Sequence, residues 1–518
     1  MTGATVDPVM ESARAGARDT AFLPLRSGRG RALIVATVLA SMAGFLDATV
    51  VNVAVPAIAR DLGRSLAALQ WSVTGYLLTA AALLLVAGAL ADRYGRRRVL
   101  QAGLVVMLVA SVVCAIAPSF PVLIGARVAQ GVGAALVVPS SLALLNATLR
   151  VQDRAPGIGV WAGLASLGGL LVGPFVGGWL VDHVSWRAVF LLNVPLILGA
   201  LLALLAVPDR VAPVGRLALD VGGALLAVAG LAGIIDGLTL GTTRGWTNPR
   251  VVLGLAVGAA CLLALVPVER RVRAPMLKIS LFASRQFTAI NVATAVYYGA
   301  LAAAGYLLVL ECQLVLGYTA TEAGAVLIPS SLVFLVLSPI SGALVRRHGP
   351  RRLMTAGMLT GAAAFAWLAV ARGHYAAAIL PGALLWGVGL GLTVTPLTAA
   401  VLATVDDADL GEASAISDVA ARLGGAVLTA LVPLLVGVRA GDDLAPALAT
   451  GYRPAMIVLA AVCAVAAAVS AVFVQDSRIA GPSFAPPAPY HGCALPDPRP
   501  DVASGRPSLV TVPRTEPS

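Results

Sequence analysis

The chain has 518 residues, 59% hydrophobic and 12% charged, with a formal net charge of +11. An ordinary soluble protein carries about 25% charged residues, so this chain has too few to cover a water-facing surface. The balance excludes the soluble globular classes and makes a lipid bilayer the expected partner.

The first 30 residues mix Arg, Asp and Glu with no apolar h-region and read as a cytoplasmic tail. A hydrocarbon core about 30 Å thick needs roughly 20 apolar residues at 1.5 Å rise each. Fourteen such stretches follow, at 31–59, 70–91, 99–117, 121–148, 156–181, 187–207, 219–239, 250–268, 288–312, 322–345, 352–371, 375–403, 411–438 and 454–474. The expected fold is therefore all-α and polytopic, with 14 transmembrane helices.

An even count puts both termini on one face. Basic residues collect in the loops of that face, among them Arg93, Arg96, Arg97, Arg98, Arg150, Arg154, Arg346, Arg347, Arg351 and Arg352, while the other loops hold few. Basic loops stay cytoplasmic, so both termini are expected inside the plasma membrane of the cell, and the positive charge requires no nucleic-acid partner. Residues 475–518 are rich in Pro and read as a disordered cytoplasmic tail. The five cysteines form no CxxC pair, and Cys114, Cys261, Cys312 and Cys463 lie in apolar stretches, which implies neither disulfide framework nor metal site.

Segment 88–100, GALADRYGRRRVL, returns 254 residues later as 342–354, GALVRRHGPRRLM. Gly131-Val-Gly133 before Pro139 likewise returns as Gly387-Val-Gly389 before Pro396. Repeated multi-helix halves with a site near the midplane between them are a common transporter plan. The expected division is a six-helix half over 31–207, an inserted helix pair with flanking loops over 208–286, and a second six-helix half over 287–474.

Asp47 lies mid-span in an apolar helix, where a charged carboxylate costs at least about 2.5 kcal/mol. Protonation relieves that cost, so Asp47 is a candidate for alternating between acid and ion, the ion attracting a cationic substrate or a partner Arg. The plainer alternative is a structural carboxylate bonded to Thr49 or Asn52. Arg127, a short way into the fourth span, needs an acidic or carbonyl partner at that depth. Asp236, Glu311 and Asp418 are further intramembrane acids, each serving coupling or simply facing an aqueous vestibule. Asp418 and Arg422 stand at i, i+4 and are expected to neutralise one another.

In the first repeated loop, Gly88 and Gly95 permit a sharp reversal, and Asp92 can sit at a helix N-terminus. Arg93, Arg96 and Arg97 can pair with the acids Asp406, Asp407, Asp409 and Glu412 before the thirteenth span. An inner-gate lock between these loops is expected when the protein faces outward. A basic loop that serves topology alone is the alternative.

Several of these segments resemble a known family. Gly88 to Leu100 looks like the cytoplasmic loop signature of the major facilitator superfamily, and Leu46 to Pro56 resembles the opening motif of its EmrB/QacA-type, fourteen-helix drug:proton antiporters. The likeness continues through Leu123 to Ala135, Gly169 to Gly178, Trp186 to Pro195, Leu316-Gly-Tyr and Ala323 to Pro329. It implies a major facilitator fold and, as the expected function, efflux of a small hydrophobic or cationic drug-like molecule in exchange for protons, by a monomer with no cofactor beyond the gradient. It ties Arg127 to proton coupling and brings Trp71 and Tyr76 forward, with Asn52, as candidate pocket residues. Gly169, Gly173, Pro174, Gly177 and Gly178 then read as the antiporter helix motif, although a small-residue packing stripe explains the glycines alone.

Two other functions stay open: transport of one specific metabolite by symport, and a receptor or scaffold on the same fold. ATP-driven transport is not expected, since Lys278 is the sole lysine and no GxxxxGK[ST] loop exists. The four histidines, His183, His348, His374 and His491, fall in loops or the tail with no HExxH, so enzymatic chemistry and a metal site are not expected either.

Overall fold

Within lipid every backbone donor and acceptor must be satisfied inside its own segment, so long runs of Ala, Leu, Val and Gly fold as helices. The computed structural model describes residues 22–64, 66–208, 220–272, 278–370, 375–406, 409–437 and 444–476, and these are helical almost throughout. The tails, up to residue 21 and from residue 477, lie outside the described residues.

The first half comprises α1 (Gly28–Leu62), α2 (Leu66–Ala82), α3 (Leu84–Tyr94), α4 (Arg96–Ala115), α5 (Phe120–Thr148), α6 (Val151–Leu167), α7 (Gly173–His183), α8 (Trp186–Leu191) and α9 (Asn193–Leu205). Two helices follow, α10 (Val221–Arg244) and α11 (Pro249–Glu269). The second half comprises α12 (Arg285–Leu314), α13 (Ala320–Ala325), α14 (Ile328–His348), α15 (Pro350–Val370), α16 (Tyr375–Leu402), α17 (Leu410–Ala430), α18 (Val432–Leu435) and α19 (Leu444–Phe473).

Among the described residues, eleven helical stretches are long and apolar enough to cross a bilayer, two of which, 186–205 and 320–345, run through a short break between α8 and α9 and between α13 and α14. The other three expected spans are interrupted. Leu83 separates α2 from α3, and Leu431 separates α17, which carries Glu412, Asp418 and Arg422, from α18. Between α6 and α7 the chain forms a π-helical turn, Gly168–Val172. Pro174 has no amide to donate, and Gly173 donates to Gly168 instead, so the wider turn absorbs the missing bond.

The sequence repeat is also a structural one. Gly95 and Gly349 each end a helix at positive φ, 96° and 76°, where a side chain would be strained, and each amide donates to the equivalent carbonyl, Ala91 or Val345. Gly103 and Gly133 bring α4 and α5 into backbone contact, and Gly357 and Gly389 do the same for α15 and α16.

At the end away from the Arg-rich loops the two halves are closed against each other. Asp182, at the end of α7, accepts from the backbone amides of Ala320 (3.1 Å) and Thr321 (2.7 Å) and from the Thr321 hydroxyl (2.5 Å). Gln313 of α12 donates to the Val53 carbonyl of α1 (3.0 Å), and Gln70 of α2 donates to the Thr429 carbonyl of α17. Leu202, Leu205, Leu253, Leu263 and Val336 all face outward. Such an apolar exterior suits lipid.

Candidate functional site

Asp47 and Arg127 form a fully buried ion pair, Arg127 Nη1 lying 2.6 Å from Asp47 Oδ2, with both side chains 0% exposed. A charge at this depth persists only when its remaining hydrogen-bonding capacity is met, and nearly every group here is engaged. Arg127 Nε donates to the Ser72 carbonyl (2.6 Å) and Nη1 also to Gln130 Oε1 (2.8 Å). Asp47 Oδ1 accepts from Gln130 Nε2 (3.1 Å) and Asn193 Nδ2 (2.8 Å). Ser111 Oγ accepts from Gln130 Nε2 (2.8 Å).

Five helices carry these groups, α2 through the Ser72 carbonyl. The i, i+3 spacing of Arg127 and Gln130 puts both on the face of α5 that meets α1, while α4 supplies Ser111 and α9 supplies Asn193. The guanidinium lies over the Tyr76 ring at 4.5 Å, and Tyr76 is held by a 2.7 Å bond from its hydroxyl to the Gly44 carbonyl. Thr49 and Asn52 are not the partners of Asp47: Thr49 donates instead to the Gly169 carbonyl (2.7 Å).

Beside this network a cavity of about 410 Å³ lies between the halves. Phe45, Ala48, Thr49, Leu77, Ser166 and Gly169 line it from the first half, and Tyr298, Phe334, Leu390, Val394, Asp418 and Arg422 are among its residues from the second. Towards the Arg-rich end a smaller cavity of about 80 Å³ also touches Asp418 and is lined by Thr294, Thr398, Ser414 and Ser417. The helix α1 therefore shows Phe45, Ala48 and Thr49 to the cavity and Asp47 to the buried network.

The glycines of the π-bulged span lie against α1. A Cβ at Gly169 would meet Phe45 at 2.9 Å, one at Gly173 would meet Thr49 at 3.0 Å, and one at Gly177 would strike Val50. Gly178 faces the other way, so close to the Ala320 carbonyl that any side chain would collide, and Gly324 meets the Pro174 carbonyl in the same manner. The motif thus holds two seams: one to α1 and one to α13 across the halves.

Asn52, Trp71 and Tyr76 do not line the cavity. Trp71 packs against the small apolar cluster formed by Leu78, Ile235 of α10, Ala426 and Ala430, while Tyr76 is sealed beneath Arg127. Glu311 is half-buried near the far end of α12, with Oε2 lacking a hydrogen-bond partner, and Asp236 is half-buried on α10. Asp418 and Arg422 make no direct ion pair with one another among the described residues, although the Arg422 charge acts on the Asp418 carboxylate from one turn away.

In the expected inner gate, the Asp92 side chain and all of Asp407 lie outside the described residues. Gly88 lies within α3, Arg97 is half-buried, Arg93 lies over Tyr94 (5.2 Å), and Arg96 donates to the Ala143 carbonyl (3.2 Å). The acids meet a different cation: Lys278 Nζ pairs with Asp409 at 2.6 Å, its amide donates to Glu412 (2.7 Å), and Asp406 adds its charge nearby. Sequence reasoning gave Lys278 no role there. The lone lysine beside the acid-rich loop was the available signal.

A two-half helical bundle enclosing a midplane cavity, with a saturated ion pair beside it, defines a multi-pass membrane transporter. The model of the Major Facilitator Superfamily matches residues 37–428 and again 287–497, and the chain belongs to that family. It is 36% identical to the cephamycin export protein of Amycolatopsis lactamdurans over 84% of this chain and 91% of that one. It is 32% identical to the tetracenomycin C resistance and export protein of Streptomyces glaucescens over 82% and 79%. A crystal structure of a D-xylose-proton symporter shares the fold, with a TM-score of 0.61 at 16% identity, covering 86% of this chain and 98% of that one.

Proposed function

We propose that the protein exports a small, largely hydrophobic molecule across the plasma membrane in exchange for protons, with 14 spanning helices and both termini in the cytoplasm. The buried Asp47–Arg127 pair carries the reading. A proton arriving on Asp47 removes one charge of the pair and turns an acceptor of three side-chain bonds into a partial donor, loosening what α1, α5 and α9 share. Because α1 also forms a wall of the cavity, the loosening reaches the cargo site directly. The relatives named for antibiotic export support the direction of transport. The Arg-rich loops support the orientation.

With the far end closed and the cavity bordered by a polar vestibule towards the Arg-rich loops, the structure corresponds in this reading to a cytoplasm-facing state that receives cargo. Protonation from outside and release of cargo there follow after the Asp182 seam opens. Purified protein in sealed vesicles, given an imposed pH difference and a fluorescent amphiphilic dye, tests this. Dye must move against the proton flow, and Asp47→Asn must remove the dependence on the gradient while leaving the protein folded. Co-directional movement of dye and protons would establish symport and overturn the proposal, as would unchanged coupling in Asp47→Asn.

A further inference from the structure

From the cavity wall contributed by α17 we infer that the cargo is an amphiphilic zwitterion, a molecule with an apolar body and separate anionic and cationic groups. The inference rests on the export reading and specifies its substrate. Asp418 and Arg422 both line the 410 Å³ cavity, yet no direct ion pair joins them to each other or to another side chain among the described residues. Two opposite charges one helical turn apart have the spacing to pair, about 6 Å along the axis, and here they remain separate. Each therefore keeps unmet capacity: the carboxylate for donors, the planar guanidinium for a carboxylate or similar oxyanion.

The rest of the wall sets the body of the ligand. Phe45, Leu77, Phe334 and Leu390 offer apolar and aromatic surface, a combination suited to enclosing a drug-sized apolar framework with a few convergent polar groups fixing its orientation. A simple cation would satisfy Asp418 but meet the field of Arg422 one turn away, and a simple anion would meet the reverse. Only a ligand bearing both signs satisfies both side chains without leaving one desolvated and unpaired. Thr398, Ser414 and Ser417, below Asp418, add neutral hydroxyls on the path from the Arg-rich end and bring no further charge.

A pair of rhodamines that differ only in charge provides the test: the free acid, a zwitterion with amino groups and a carboxylate, and its methyl ester, a cation. Full-length protein in lipid nanodiscs is titrated with each, reading fluorescence anisotropy, with no proton gradient required. The zwitterion is expected to bind at least tenfold more tightly than the ester. Arg422→Gln should abolish that preference, Arg422→Lys should keep most of it, and Asp418→Asn should weaken both dyes. Absence of zwitterion binding, an ester bound equally well or better, or an unaltered preference in a folded Arg422→Gln protein would each overturn the inference. Because binding is read apart from flux, a preference that persists in protein unable to exchange dye for protons would refute the antiport reading alone, and dye transport without the preference would refute only this one.

Discussion

The two halves share a backbone plan and have opposite cores. Around the α4–α5 crossing, Arg127, Gln130 and Ser111 build a hydrogen-bonded ion-pair network with Asp47. At the corresponding crossing of α15 and α16, placed by the 254- and 256-residue offsets of the paired glycines, stand Ala383, Trp386 and Phe365. There Phe365 and Trp386 meet edge to face at 4.9 Å. One half thus carries a charged, hydrogen-bonded core, which the proposed function makes the seat of coupling, and the other an aromatic and apolar one. The same crossing geometry accepts either, because glycine contact between the helices fixes the backbone and leaves the adjacent layer free to differ.

The contrast breaks most severely at Arg127. Arg127→Ala strands the Asp47 carboxylate in the interior, and loss of one member of a buried pair costs about 3–5 kcal/mol. Thermal unfolding in detergent should register a large drop in Tm, and gradient-driven flux should vanish. The double variant Asp47→Asn/Arg127→Gln, which removes both charges while keeping amides to bond, should recover much of the Tm and none of the coupling. Recovery of coupling in that variant would show that the pair is only structural.

The seam between the halves is the next largest effect. A methyl group at Gly178 would collide with the Ala320 carbonyl in the closed arrangement, and overpacking of this kind costs about 1–3 kcal/mol. An opened seam escapes the collision, so Gly178→Ala should shift the population towards the state open at that end by about tenfold for each 1.4 kcal/mol. Faster labelling of Ala320→Cys, buried while the seam is closed, by an impermeant maleimide in whole cells would report it. In the second half, Phe365→Leu should lose the edge contact to Trp386, about 0.5–1.5 kcal/mol beyond burial, and leave the pH profile of transport in place. A shifted pH profile would mean that the aromatic core also takes part in coupling.

Much of this was legible because charge in an apolar span is conspicuous. Asp47 and Arg127 announce themselves, and the repeated loop reveals the two halves. Asn193 was harder to see: an uncharged amide between Leu192 and Val194 looks like packing until the fold brings it 2.8 Å from Asp47. Helical phase was the other obstacle. Whether Trp71 faces cargo or protein depends on how α2, α10 and α17 come together, since the cluster it packs on draws Leu78, Ile235 and Ala426 from those three helices, which no local pattern encodes. The π-turn before Pro174 could be anticipated as a bend at the proline, whereas the break at Leu83 carries no proline or glycine at the break itself. The separation of Asp418 from Arg422 likewise depends on the cavity both face, and i, i+4 spacing alone argues for pairing.

The smallest expected effect concerns the exposed carboxylate that joins the halves. Burial pushes the Asp182 carboxyl up, but the Thr321 hydroxyl and the amides of Thr321 and Ala320 outweigh it and hold the group below its ordinary value of 3.8. A depressed value means that the bonds favour closure at every pH above the ordinary value and are lost only as the pH falls through the folded one. The seam should therefore be indifferent to pH between about 5 and 8, a range in which a carboxylate so held stays ionised. Asp182→Asn should raise labelling of Ala320→Cys, a buried position that bonds Asp182 only through its backbone, modestly and by the same factor at both ends of that range. A labelling ratio that rose steeply as the pH fell from 8 to 5 would make Asp182 a proton sensor of the outer seam, and the division between a proton-responsive core and an inert closure would then fail.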